Sequence, residues 1–114
     1  MQVEQMKVRV SGKQIEIGAA LSDFARERIE AAMSKHFDGG AEANVVISHE
    51  GFGYRADCTA HLDSGVVLNA QGDAADARHA FESALERLEK QIRRYKRRLR
   101  NHHDKAKLPR EAGA

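Results

Sequence analysis

Apolar positions along this chain repeat with two periods, and the switches between them order its elements. Met6, Val8 and Val10 alternate with Lys7 and Arg9, the period of two expected of a strand with one face buried. Ser11-Gly12-Lys13 breaks that pattern. From about Ala19 to Phe37 the spacing turns helical. Leu21, Phe24, Ala25, Ile29, Ala32 and Met33 form one stripe, while Asp23, Arg26, Glu27 and Glu30 lie largely on the other side. Gly39-Gly40 ends this helix. Three short strands follow. Val45, Ile47 and His49 share a face in the first, Tyr54, Ala56, Cys58, Ala60 and Leu62 in the second, and Val66, Leu68 and Ala70 in the third, closed by Gly72. Gly51-Phe52-Gly53 reads as a flexible connection and Asp63-Ser64-Gly65 as a tight hairpin turn. Asp73 is placed to cap a final helix that runs to about Asn101. On that helix Ala77, Phe81, Ala84 or Leu85, Leu88, Ile92, Tyr95 and Leu99 recur at steps of three and four.

The order β-α-β-β-β-α predicts one strand-helix-strand crossover followed by an antiparallel meander. Two helices then cover one face of a four-stranded sheet, an α+β two-layer sandwich whose other face is open to water. The final apolar seam covers roughly four heptads, more than a small sheet can bury, so its second half is expected to project. This is one domain, residues 1–103. Residues 104–114 contain the only proline, Pro109, and read as a disordered tail or the start of a linker.

With 41% apolar and 5% aromatic residues in 114, the chain supports a modest core of Val, Ile, Leu and Ala. It has no run near the roughly 18 apolar residues of a membrane span. Its first residues lack the basic-then-apolar pattern of a secretory signal. The lone Cys58 excludes an internal disulfide and fits a reducing, cytoplasmic setting.

Charge changes the picture. From Arg87 to Ala114 lie 11 of the 19 Lys and Arg and 3 of the 17 Asp and Glu, so the last 28 residues carry +8 and the first 86 carry −6. On the final helix Arg87, Lys90, Arg94 and Arg97 stack as one stripe beside the apolar seam. Arg93, Lys96 and Arg100 make a second stripe, with Arg98 between them. One or two cations complement a helix C-terminus, but eight between Arg87 and Arg100 repel one another, which points to an anionic partner. Arginine predominates, favouring bidentate phosphate contacts. Tyr95 suits the core better than it suits stacking on a base. Lys7, Arg9 and Arg55 on the outward strand face, and Arg26, Arg28 and Lys35 on the first helix, are possible extensions of the same surface, though acids are interleaved with them.

Other chemistry is thin. Adjacent His102-His103 do not face the same way on a helix, and no metal site is expected. His49 and His61 sit on neighbouring strands, within possible reach of each other. Cys58 reads as a small core residue. No nucleophile, base and oxyanion donor come together, so no catalytic residue, cofactor or small-molecule substrate is expected; the chain does not read as an enzyme. Leu88 and Ile92 belong to the core, which argues against a membrane-surface helix.

The element order, Met6-Lys-Val-Arg-Val-Ser-Gly, Lys35-His-Phe-Asp-Gly and Leu88-Glu-Lys-Gln-Ile-Arg-Arg-Tyr-Lys-Arg-Arg-Leu99 together resemble the bacterial ribosome hibernation promoting factors. That family is also called ribosome-associated inhibitor or sigma-54 modulation protein. The resemblance covers about residues 3–103. It implies a double-stranded-RNA-binding-like fold that occupies the messenger- and transfer-RNA channel of the small ribosomal subunit and silences idle ribosomes. It also implies that Arg87, Lys90, Arg93, Arg94, Lys96, Arg97 and Arg98, with Arg100 beside them, contact ribosomal RNA backbone. Ala74-Ala75 stand where relatives often carry bulkier residues. Long members continue into a domain that pairs ribosomes, and the stretch from Pro109 onward fits a truncated long member better than a short one. The rival readings are a general double-stranded-RNA-binding module without ribosome preference, and a modulator of transcription.

Overall fold

The structure is a computed structural model describing residues 6–36, 41–62 and 64–113, with side chains described for 7–35, 41–62 and 64–98. The elements are β1 (Met6–Gly12), α1 (Ala19–His36), β2 (Ala41–Glu50), β3 (Gly53–Leu62), β4 (Val67–Ala74) and α2 (Ala77–Gly113). The sheet order is β1-β2-β3-β4, with β1 parallel to β2 and the other pairs antiparallel. This is the α+β arrangement expected from the periods. The end of α1 assigned to Gly39-Gly40, and Asp63 of the hairpin, lie outside the described residues.

Register lines up the inward side chains in rows. Val10 stands opposite Val45, Val45 opposite Cys58 and Cys58 opposite Ala70. Along the middle of β3 and β4 the inward positions are mostly small, with Ala56, Cys58, Ala60 and Ala70 all buried and Leu62 and Leu68 flanking them. The bulk comes from the helices. Ile29 and Met33 of α1 and Phe81, Leu88 and Ile92 of α2 are fully buried against that small-residue floor, so large meets small across the two layers at interior density. Gly72 carries the pattern to its limit. A Cβ there would fall on the backbone N of Ala84 and 2.6 Å from the carbonyl oxygen of Ala80; a glycine inside a strand marks such close approach of another backbone. Edge-on contact of Phe24 with Phe81, at 5.9 Å between centroids, joins the helices.

Two boundaries differ from the sequence reading. β4 continues past Gly72, because Asp73 pairs across the strands with Arg55, with Nε–Oδ1 at 2.8 Å and Nη2–Oδ2 at 3.3 Å. The N-cap is therefore Asp76 and not Asp73. Asp76 Oδ1 accepts the backbone N–H of His79 at 2.8 Å, and its carbonyl accepts the first helical bond from Ala80 at 3.0 Å. At the other end, α2 continues to Gly113, beyond the end expected near Asn101. Lys105, Ala106, Lys107, Leu108, Arg110, Glu111 and Ala112 are favourable helix formers, and the helix runs through the single Pro109, which has no N–H to offer the carbonyl of Lys105. Among the described side chains the last buried position of α2 is Ile92, and at 37 residues against the 8 of β4 the helix is longer than the strand beneath it.

Candidate nucleic-acid interface

Burial of Phe81, Leu88 and Ile92 fixes the rotation of α2 about its axis. Lys90, Arg93, Arg94, Lys96, Arg97 and Arg98 are all exposed in consequence. At 3.6 residues per turn their directions span about 200° of the helix circumference. The two stripes expected as separate edges thus merge across the solvent side into one cationic face. Among the described residues, none of the six has a carboxylate partner; the ion pairs there involve Arg26, Arg28, Arg55, Arg78 and His79. Residues 90–98 contain no acid, so six like charges sit on one face of a rigid rod. That is a structurally unfavourable arrangement on its own and a favourable one against phosphates.

Arg87 stands apart from this group. Its Nη1 donates to the carbonyl of Gln71 at 2.8 Å, and Gln91, one turn on, donates Nε2 to the carbonyl of Asn69 at 2.7 Å. Both carbonyls belong to β4, an edge strand whose outward groups lack a strand partner. Arg87 and Gln91 therefore cap the sheet edge and fasten α2 along it. Sequence reading missed Gln91 altogether; the only signal was an amide one helical turn after Arg87.

Beyond Gln91 the helix and the edge diverge into an open cleft of about 540 Å³, lined by Val66, Val67, Gln91, Arg94, Tyr95 and Arg98 among others. Tyr95 is half-buried and packed on the core, and its hydroxyl lies 2.9 Å from Ser64 Oγ. It takes the core place favoured from sequence while forming one wall of the cleft. Arg94 and Arg98 set two guanidinium groups at the mouth.

The secondary candidates divide. Arg26 pairs with Asp23 at 3.3 Å. Arg28 pairs with Glu82 at 3.5 Å and lies over the Phe24 ring at 5.4 Å, a clamp between α1 and α2. Arg55 is held by Asp73 and, at 3.9 Å, by Glu50, and these partners raise its pKa further. Lys7, Arg9 and Lys35 are exposed, with Lys7 and Arg9 beside a hollow of about 390 Å³ that Glu42 and Asn44 share. The middle of the open sheet face is a neutral-to-acidic ladder: Asn69 and Gln71 donate to the two carboxylate oxygens of Asp57 at 2.7 and 2.9 Å. Structure thus concentrates the uncompensated charge on α2. The side chain of Arg100 lies outside the described residues.

His49 and His61 are not brought together. His49 stands opposite Tyr54 and His61 opposite Glu42, seven positions apart along β2, or roughly 23 Å. Cys58 is fully buried; burial first, then Asp57, pushes its thiol up to about 12, so it is protonated and inert near neutrality. Among the described residues no group of three or more His, Cys, Asp or Glu is placed to hold a metal ion, and no helix is long and apolar enough to cross a membrane. The side chains of His102 and His103 lie outside the described residues.

Residues 8–100 match the family described as Sigma 54 modulation protein / S30EA ribosomal protein. The chain is 50% identical over 99 residues to the ribosome hibernation promotion factor of Rhizobium meliloti (strain 1021), covering 87% of this chain and 52% of that one. It is 42% identical over 96 residues to the protein of the same name from Bradyrhizobium diazoefficiens, covering 84% and 47%. The chain therefore spans about half the length of these relatives. The crystal structure of the Thermus thermophilus Protein Y N-terminal domain superposes with a TM-score of 0.71 at 28% identity, over 79% of this chain and 99% of that one. Family match, sequence identity and the β-α-β-β-β-α sheet agree, and the chain belongs to the Sigma 54 modulation protein / S30EA ribosomal protein family.

Proposed function

We propose that this chain binds ribosomes in the cytoplasm and silences them by occupying the messenger- and transfer-RNA channel of the small subunit. The observation that carries this reading is the face of six uncompensated cations from Lys90 to Arg98, held in one orientation by Phe81, Leu88 and Ile92. Folded RNA is recognised largely through phosphates and 2′-hydroxyls, which demands charge on a rigid frame. The names of the relatives, ribosome hibernation promotion factors, support the choice of a ribosome over RNA in general. The mechanism is steric. The body fills space needed by translating ligands, and α2 anchors it through phosphate contacts, with Lys90, Arg93, Arg94, Lys96, Arg97 and Arg98 as the contacting groups. Arg100 continues the series, Lys7, Arg9 and Lys35 are accessory contacts, and Arg87 positions the helix. No bond is made or broken.

Sedimentation with purified small subunits and whole ribosomes across a salt series tests this reading. With six phosphate contacts, affinity should fall about a thousandfold between 50 and 200 mM salt, and initiation in vitro should be inhibited. Replacing both Arg94 and Arg97 by Glu should weaken binding by about two orders of magnitude at an unchanged melting temperature, because both side chains face water. Unaltered ribosome binding by that variant removes the cationic face from the contact. Displacement of the wild-type protein from ribosomes by any added duplex RNA identifies a general double-stranded-RNA module instead.

A further inference from the structure

We propose that the β2–β3 turn is a second docking point, an aromatic finger that enters an apolar pocket on a basic ribosomal protein. This rests on the ribosome-binding reading and adds to it a protein contact at the end of the molecule opposite the cationic face. Phe52 at the turn has a relative exposure of 109%, so its whole ring stands in water. A single exposed apolar residue is ordinary on a loose loop, but this turn is shaped. Gly51 has φ +61°, and a Cβ on Gly53 would lie 2.5 Å from the carbonyl oxygen of Ala74. The first glycine makes the reversal, and the second lets the turn lean on the end of β4. The rings of His49 and Tyr54 meet at 4.4 Å just behind it, and the Arg55–Asp73 pair ties the same end of β3 to β4. Gly51-Phe52-Gly53, a flexible connection by composition, is thus flanked by contacts that brace its tip. With the backbone of the turn braced, docking has only the two side-chain torsions of Phe52 left to fix, a small entropy cost that suits an interface anchor.

Charge selects the partner. A hollow of about 460 Å³ adjoins the ring, floored by Gly53, Tyr54 and Ala74 and bounded by Glu50 and Asp73. Asp76 lies just beyond, held by His79, while Arg55 is paired to Glu50 and Asp73, so the three carboxylates outnumber the one permanent cation among them. Stacking Phe52 on an RNA base would bring phosphates to within about a Debye length, ~8 Å at physiological ionic strength, of these carboxylates. A basic protein surface is attracted to them instead, and proteins that live on RNA carry such surfaces. The spacing suits a two-point grip. From Ala77, beside the tip, to Arg98 is about 32 Å along α2, so RNA at one end and protein at the other would fix the orientation of the body.

The test places the photo-crosslinker p-benzoylphenylalanine at position 52, where full exposure makes it compatible with folding, and irradiates the 114-residue protein bound to ribosomes. A crosslink to a ribosomal protein is the expected result; a crosslink to ribosomal RNA overturns the inference. Phe52→Ala should weaken ribosome binding about tenfold with an unchanged melt. Glu50→Lys supplies a sign test, since Arg55 keeps its closer partner Asp73. Binding weakens several-fold if the neighbour is basic, and tightens if the neighbour is phosphate, which again overturns the inference. Normal binding by wild type together with indifference to both changes sinks the finger alone. Failure of wild type to bind ribosomes sinks the finger and the proposed function together.

Discussion

Gly72 sets how closely α2 lies on the sheet, and it does so by lacking one methyl group. Gly72→Ala places a Cβ against backbone atoms of Ala80 and Ala84, which cannot swing aside as a side-chain end does. The change should destabilise the fold by about 1–3 kcal/mol, the range for overpacking a filled core. It should leave the charge of α2 untouched, and chemical denaturation of the two proteins measures the difference. The junction that follows is held by two aspartates of ordinary exposure. The Arg55 guanidinium holds the Asp73 carboxyl below the usual carboxylate range, and the His79 backbone N–H does the same for Asp76. A carboxyl whose folded pKa is depressed stabilises the fold above its unfolded value and loses that contribution as pH falls through the folded one. Melting temperature should therefore hold from pH 7 to about 5 and decline below about 4. The double change of Asp73 and Asp76 to Asn should melt lower at neutral pH, with a flatter acid limb; an acid limb as steep as the wild type's assigns the effect to other carboxylates. These residues also mark where sequence reading failed. Asp73 and Asp76 are equally good caps by local chemistry, and what chooses between them is Arg55, a residue 18 positions earlier that only strand pairing brings alongside.

At the scale of elements, α2 is two devices in one helix. Its early turns fasten the sheet edge and its later turns present charge. Arg87→Ala removes the donor to the Gln71 carbonyl and should lower stability by about 0.5–1.5 kcal/mol, with little change in the salt dependence of ribosome binding. Arg97→Ala should do the reverse: an unchanged melt and a log–log salt slope shallower by about 1. Melts and salt titrations on both variants separate the roles, and equal slopes for the two would return Arg87 to the phosphate-contacting group. The cationic face was legible in the sequence because one period governs both sides of a helix: once Leu88 and Ile92 are inward, Lys90, Arg93, Arg94 and Arg97 are outward. The share belonging to Arg87 was not, since it depends on which strand lies at the sheet edge beside α2. The carboxylate partners of Arg28 and Arg55 were hidden for the same reason. Each looks like a surface cation until a neighbouring element brings Glu82 or Asp73 to it. For strands the period of two sufficed to find the inward rows, whereas the separation of His49 from His61 required the register.

The structure extends over 56 × 36 × 18 Å, and charge is sorted along the chain, +8 in the last 28 residues against −6 in the rest, with the described cations of that segment gathered on α2. Such a dipole acts before contact. The Debye length is about 30 Å at 0.01 M salt and about 8 Å at 0.15 M. In dilute salt a ribosome feels both ends of the protein, and the field turns the cationic end of α2 toward phosphate. At physiological ionic strength only the nearest groups are felt, so orientation depends on the cluster from Lys90 to Arg98 and not on net charge, which at +2 is nearly nil. Steering of this kind raises association rates by about 10- to 1,000-fold and vanishes with salt. Stopped-flow association with small subunits should accordingly slow by at least about tenfold from 0.01 to 0.15 M salt, while dissociation of the formed complex changes less. Replacing Arg94 and Arg97 by Glu should flatten the dependence of the on-rate. Reversing an equal number of cations outside α2, by Lys7→Glu with Lys35→Glu, makes the same change of −4 in net charge and should leave it steep, because the steering belongs to the charge gathered on one helix face and not to the total. An on-rate that responds equally to both pairs would mean that the chain approaches its partner without a preferred end.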